Sequence, residues 1–333
     1  MSKPKVVLWR PMYDQAGHAL LEKGGAEVVV VDSPDAEAVK AALPGARGLF
    51  VRTPERVTAA VMDAGTDLVV ISTSGFGTDN IDIPAATERG ILIANHRGFG
   101  RIPVAEHTIL LILAAAKRLV WADAGARDGS AWANRTNQPF FELEGKTVGL
   151  LGLGHIGSEI ARKLKFGFRC RVLACDPYVD PRLPTLVDAE MMPDLETMLP
   201  QVDVLCLVPE LTDETRGAIG ARELALLPKG AMVVNTGRGQ VLDIDALLAA
   251  LDSDHLLAAG LDVVYPEPLP AGHPLLAHSK VTLTPHTAGM TTESSRALSE
   301  SAADQILTAL RGEMVRFPVN PVAWQQAASR RPQ

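Results

Sequence analysis

Three short stretches in the second half of the chain hold residue types that can bind an anion and move a proton. The first, Val233-Val234-Asn235-Thr236-Gly237-Arg238-Gly239, runs from apolar residues to an arginine. A guanidinium fork grips a carboxylate through two parallel hydrogen bonds and stays charged at any working pH. The second, Gly260-Leu261-Asp262-Val263-Val264-Tyr265-Pro266-Glu267-Pro268, carries two carboxylates, and the third, Leu283-Thr284-Pro285-His286, ends on a histidine. Imidazole exchanges a proton near neutrality more readily than any other side chain. Each stretch follows an apolar run, and in an open α/β sheet ligands bind beyond the carboxyl ends of the strands, so the three are expected to converge on one cleft. Of the other histidines, His107 reads as a packed or interdomain hydrogen-bonding residue. His273 and His278 have no cysteine or carboxylate cluster beside them, so no metal site is expected.

The strongest local signal lies upstream, in Thr147-Val148-Gly149-Leu150-Leu151-Gly152-Leu153-Gly154-His155-Ile156-Gly157. Here Gly-x-Gly-x-x-Gly follows an apolar strand and opens an amphipathic helix. Gly152 serves the tight turn, Gly154 lets backbone approach a pyrophosphate, and Gly157 allows helix and strand to pack closely. The helix start offers free N–H groups and the positive end of its dipole. His155 and Ile156 lie inside this loop, where their backbone rather than their side chains should matter. Asp176 follows Gly157 by 19 residues at the next strand end, placed to accept hydrogen bonds from a ribose. Its charge would repel a 2′-phosphate, so the expected cofactor is NAD rather than NADP.

Two runs of alternating strands and helices position these residues. The first predicts strands at 6–9, 28–31, 48–51, 68–71 and 91–93, with helices near 14–23, 35–43 and 56–64. A long helix over 103–121 follows, and then an irregular excursion over 122–145. The second run predicts strands at 147–151, 171–175, 202–207, 232–235, 257–262 and 281–283. A last helix, 293–311, has no strand after it and can return to the N-terminal half. Continuous apolar strands between helices imply parallel sheets buried on both faces, here in two α/β domains with a cleft between them.

Composition narrows the class further. With 333 residues, 47% of them hydrophobic and 21% charged, the chain suits two globular cores, and disordered or coiled-coil classes are unsuited. A net charge of −7 argues against nucleic acid or an anionic membrane as partner. The longest apolar run, Ile109 to Ala116, is far below the roughly 20 residues that span a bilayer, and the N-terminal residues lack a signal-peptide core. Cys170, Cys175 and Cys206 form no Cys-x-x-Cys pair, which points to a reducing cytoplasm.

Taken in order, Val51-Arg52-Thr53, Gly75-Phe76-Gly77-Thr78-Asp79-Asn80-Ile81-Asp82, Val104-Ala105-Glu106-His107, the glycine loop, Asn235-x-x-Arg238-Gly239, Glu267-Pro268, Pro285-His286 and Asn320-Pro321 resemble the D-isomer-specific 2-hydroxyacid dehydrogenase family. That family includes hydroxypyruvate/glyoxylate reductases, D-lactate dehydrogenases and phosphoglycerate dehydrogenases. The resemblance implies a flavodoxin-like substrate domain, 1–98 with 290–333, and a Rossmann NAD domain, 99–289. It implies hydride transfer between nicotinamide and a small 2-keto or 2-hydroxy acid. Arg238 would hold the substrate carboxylate and the oxygen being reduced, His286 would be the general acid, and Glu267 would orient His286. Backbone N–H groups around Ser74, Gly75 and Phe76 would complete the carboxylate site. Thr236, Gly237, Arg238, Asp262 and His286 would join the glycine loop in contacting the cofactor, Asp262 at the nicotinamide end. The long helix and the excursion suggest a homodimer.

Departures from the family pattern bear on the substrate. The common Asn-x-Pro-Gly stretch is Asn95-His96-Arg97-Gly98 here, and Arg97 and Arg101 lie near the expected hinge. Arg52 stands where phosphoglycerate-oxidising relatives have a basic contact, but Thr73 replaces their second arginine, and the chain stops without their regulatory extension. Phosphoglycerate is therefore disfavoured, and a hydroxypyruvate- or glyoxylate-like acid is expected. Val208-Pro209-Glu210 replaces the His-x-Pro of many relatives, on the adenine side. The alternatives are a NAD(H)-sensing binding protein of the same fold and a family member acting on formate or phosphonate.

Overall fold

Five strands from the first hundred residues, β1 (Lys5–Trp9), β2 (Glu27–Val31), β3 (Ala46–Val51), β4 (Val70–Ser72) and β5 (Leu92–Ala94), pair in parallel in the order β2-β1-β3-β4-β5. This computed structural model describes residues 3–326. Three of the four helices between these strands start on aspartates whose side chains accept backbone N–H groups: Asp14 from Ala16, Asp35 from Glu37 and Asp82 from Ala85. On one face of the sheet, Val6, Leu8, Phe50 and Leu92 pack with Ala302, Ala303 and Ile306 of the C-terminal helix Thr292–Leu310. On the other, Val7, Trp9, Leu49 and Ile71 pack with Val39, Val61 and Met62. Successive residues of β1 thus point to opposite cores, as strand geometry requires, and both faces are buried. The C-terminal helix returns to bury its apolar residues against this sheet and helix Gln15–Lys23.

The chain divides into two compact units, one formed by the chain up to Gly100 and again from Met290, the other by Arg101–Gly289. In the second, β6 (Thr147–Leu151), β7 (Arg171–Cys175), β8 (Glu190–Met191), β9 (Val204–Leu207), β10 (Ala231–Asn235), β11 (Leu256–Leu261) and β12 (Val281–Leu283) form a parallel sheet in the order β12-β11-β10-β9-β6-β7-β8. The order reverses at β6, and this reversal marks the ligand-binding crevice of doubly wound sheets. Leu205, Leu207, Val233 and Ala259 face a core closed by Leu247 and Leu251 of helix Ile244–Asp252. Val204, Cys206, Met232 and Val234 face the other way, against Ala105, Leu111, Ile112 and Ala115 of helix Arg101–Ala116.

Two expectations change. The long helix does not run to residue 121: it ends at Ala116, Arg118 takes a left-handed φ of 48°, and a second helix, Leu119–Asp128, occupies part of the segment read as irregular. The carbonyl of Ala116 accepts the N–H of Phe141, so the returning chain takes a bond at the helix end. No Gly or Pro marks this break in the sequence. The two-residue strand β8 was also not foreseen, being too short to show a period.

Candidate active site

Gly152 ends β6 at φ +97°, a conformation that L side chains resist, over a floor made by the departure from His-x-Pro: a Cβ there would meet the Val208 carbonyl oxygen at 3.0 Å. A Cβ on Gly157 would lie 2.2 Å from the Gly152 carbonyl oxygen, so helix His155–Phe168 can approach the turn only through a glycine. Gly154, the N-cap, lies against open space, and no side chain caps the helix start. A pyrophosphate fits this cradle: uncapped N–H groups, a positive dipole end and no Cβ in the way. Asp176 ties the cradle down, its Oδ2 accepting the Leu153 N–H at 2.8 Å and its Oδ1 the Tyr178 N–H at 2.9 Å. Each carboxylate oxygen keeps acceptor capacity for a ribose hydroxyl.

At the ends of β10, β11 and β12 the polar residues are held by one another. Buried Asn235 pins the loop that follows it: its Nδ2 donates to the Arg238 carbonyl (3.0 Å) and its Oδ1 accepts the Gly237 N–H (3.0 Å). Arg238 Nη1 donates to the Gly237 carbonyl at 2.8 Å. Thr236 is held by Thr108 on the long helix, hydroxyl to hydroxyl at 2.8 Å. His286 sits at φ +55° with its N–H on the Asp262 carbonyl (2.8 Å). Its Nδ1 lies 2.9 Å from Glu267 Oε2, while Glu267 Oε1 accepts the Val264 N–H at 3.1 Å.

Burial alone would push the Glu267 carboxyl up. The His286 hydrogen bond and charge, the Val264 N–H and the Arg238 charge outweigh it and hold Glu267 below its ordinary value of 4.5. An ionised Glu267 accepts from Nδ1, which fixes the ring orientation and leaves Nε2 to exchange a proton. The His286 side chain is 40% exposed, so Nε2 can be reached from solvent.

Asp262 differs from its neighbours. It is 2% exposed, and its carboxylate already accepts the Thr284 hydroxyl (2.6 Å) and the Thr287 (2.9 Å) and Ala288 (3.0 Å) N–H groups. It therefore braces the turn that carries His286. His107 Nε2 reaches Thr284 Oγ1 at 2.9 Å and Asp262 Oδ1 at 3.5 Å, which makes it a brace inside the second unit. The bracing roles of Thr284 and Thr108 escaped sequence reading because no period marks them; Asn235 heads the Asn-x-x-Arg-Gly motif, but its hold on the Arg238 loop shows only in the fold.

In the first unit, Arg52 donates to the Pro11 carbonyl at 3.3 Å and lies over the Tyr13 ring, 4.3 Å from its centroid. The Tyr13 hydroxyl donates to Ser74 Oγ at 3.2 Å. Thr73 turns its hydroxyl onto the Gly75 carbonyl at 2.6 Å, within its own loop. The cysteines are free and buried, and burial pushes the Cys170 thiol up to about 11 and Cys206 up to about 12, unsuited to nucleophilic chemistry. Among the described residues there is no cluster of three or more His, Cys, Asp or Glu able to hold a metal, and no helix long and apolar enough to cross a membrane.

Comparison with known proteins matches residues 109–288 to the family described as D-isomer specific 2-hydroxyacid dehydrogenase, NAD binding domain. The chain is 38% identical over 328 residues to a glyoxylate reductase of Thermofilum pendens, with 96% of this chain and 95% of the relative covered. The chain belongs to the D-isomer-specific 2-hydroxyacid dehydrogenase family. It is also 36% identical over 316 residues to a D-3-phosphoglycerate dehydrogenase of Methanocaldococcus jannaschii, covering 95% of this chain but only 59% of that one. A solved NADPH-dependent glyoxylate/hydroxypyruvate reductase from Sinorhizobium meliloti, in complex with NADP and malonate, superposes with a TM-score of 0.84 at 28% identity, covering 97% of this chain and 98% of that one. The second unit of this dehydrogenase-family chain is a nicotinamide-dinucleotide-binding domain, and its glycine cradle has the shape that such a cofactor needs.

Proposed function

We propose that the protein is a NAD-dependent reductase of small 2-keto acids of the glyoxylate or hydroxypyruvate type, run in reverse as a D-2-hydroxyacid dehydrogenase. The observation that carries this reading is the Glu267–His286 pair at 2.9 Å, with the Arg238 charge close enough to act on Glu267, at the strand ends of the dinucleotide domain. When bound, the nicotinamide supplies or accepts the hydride at the substrate carbon. Arg238 binds the carboxylate and the keto oxygen, drawing electron density from the carbonyl. His286 Nε2 gives its proton to that oxygen as it becomes an alkoxide, and Glu267 stabilises the charge on the ring before transfer. In the first unit, the N–H groups of Ser74, Gly75 and Phe76 serve the carboxylate, with Arg52 as a further contact.

Thr73 brings no charge to its loop, which favours the small acids over phosphoglycerate. Asp176 beside the cradle favours NAD over NADP, since a 2′-phosphate would meet its charge. The test is absorbance at 340 nm with NADH and with NADPH across glyoxylate, hydroxypyruvate, pyruvate and phosphohydroxypyruvate. Turnover of a small acid with NADH, and weak turnover with NADPH, is the expected result. NADH binding without turnover of any acid would favour a sensor instead.

The active form is proposed to be a homodimer in the reducing cytoplasm. Ile102, Leu110, Leu119, Val120, Trp132 and Phe140 leave large apolar side chains exposed along the long helix and the segment after it, and a second copy could cover them. Light scattering at micromolar concentration should give twice the chain mass. The mass of one chain would refute the dimer.

A further inference from the structure

The loop after β4 has its carbonyl groups turned inward and held. The Thr73 carbonyl accepts from His96 Nε2 at 3.0 Å, the Gly75 carbonyl from the His96 N–H at 3.0 Å, and the Phe76 carbonyl from Asn95 Nδ2 at 3.0 Å. A trans peptide is planar, so its C=O and the N–H of the next residue point in opposite directions. Fixing the Thr73 carbonyl therefore aims the Ser74 N–H outward, and fixing the Gly75 carbonyl does the same for Phe76. Neither N–H donates to any group among the described residues.

The His96 ring is set in one state by its neighbours. It is fully buried; Nε2 lies 3.0 Å from the Thr73 carbonyl, which can only accept, and 3.1 Å from the Ser72 hydroxyl, which itself donates to that carbonyl at 3.2 Å, so Nε2 carries the hydrogen. Nδ1 is left to accept from Ser301 Oγ (2.9 Å) and Gln305 Nε2 (3.1 Å), both on the C-terminal helix. Gln305 is itself held, its Nε2 on the Asn95 carbonyl at 2.9 Å and its Oε1 accepting the Phe317 N–H at 2.9 Å. Burial pushes the imidazole down to about 4, in keeping with a neutral ring between these partners.

We propose that His96 is a positioning residue for substrate binding: through the Thr73 carbonyl it aims the Ser74 N–H, and with it the loop, at the substrate carboxylate. This rests on the assignment of the Ser74–Phe76 N–H groups to the carboxylate. His96→Val deletes the ring bonds and keeps the backbone bond to Gly75. Its KM for the accepted 2-keto acid rises about tenfold, the worth of one well-made hydrogen bond to a charged group, while kcat and NADH affinity stay within about threefold. His96→Gln, whose amide N–H can reach the Thr73 carbonyl, recovers part of the loss. Ser301→Ala, which removes one partner of Nδ1, raises KM by a smaller factor.

Steady-state kinetics, oxamate titration of the NADH complex and thermal melting of each variant decide the matter. If His96→Val melts early, His96→Gln and Ser301→Ala carry the comparison. Unchanged KM and oxamate affinity in the folded variants overturn the role of His96 while leaving the reductase reading intact. A wild-type protein that neither reduces any 2-keto acid nor binds oxamate overturns the reductase reading, and the role of His96 with it.

Discussion

His286→Asn lowers kcat for 2-keto acid reduction by about 10²- to 10⁴-fold, the usual worth of a positioned general acid, with NADH binding little changed. The Glu267–His286 bond at 2.9 Å holds the ring, and Asp262 holds the turn beneath it through three accepted hydrogen bonds. Asparagine keeps that turn and removes only the proton-exchanging atom, so stability and cofactor affinity report whether the site survives. Reduction takes a proton from the ring, and oxidation of the hydroxy acid returns one to it.

Glu267, held below its ordinary 4.5, stays ionised across the neutral range, and its contribution fades only as pH falls through that lowered value. The acid side of the pH–rate profile is the measurement for Glu267, and a His286→Asn variant with full kcat would remove His286 from the chemistry.

Arg238→Lys lowers kcat/KM by about 10³-fold. The change keeps the positive charge but loses the planar fork, and with it two charge-assisted bonds of about 1.5–3 kcal/mol each. At about 1.4 kcal/mol per factor of ten, two such bonds account for a loss of that size. Because Asn235 holds the Arg238 backbone through its carbonyl, the side chain can change without collapse of the loop. NADH binding measured by fluorescence is the control. Loss of cofactor and substrate binding together would mean that the loop had collapsed; unchanged kcat/KM would mean that Arg238 does not touch the substrate.

The alternation of short apolar strands with helices is local, and it reveals two parallel sheets because the inner strands are buried on both faces. The glycine loop is equally local: Gly152, Gly154 and Gly157 are needed by a turn, a cradle and a close helix, which lie within one strand–turn–helix unit. The identities and order of Arg238, Glu267 and His286 are also plain in the chain, since each ends an apolar run. The break at Arg118 was not legible, because an αL arginine has no compositional mark and the bond that takes the Ala116 carbonyl comes from Phe141.

The two-sheet class, the dinucleotide cradle and the residue types offered at the strand ends are all written in neighbours along the chain. What holds them in place comes from residues far apart in it. Buried Asp262 accepts hydrogen bonds from Thr284, Thr287 and Ala288, and His107 packs against Thr284 across 177 residues of sequence. His96 meets Ser301 across 205 residues. Hydrogen bonds between residues so far apart depend on how helices and strands close upon one another, and no spacing in the chain encodes that closure.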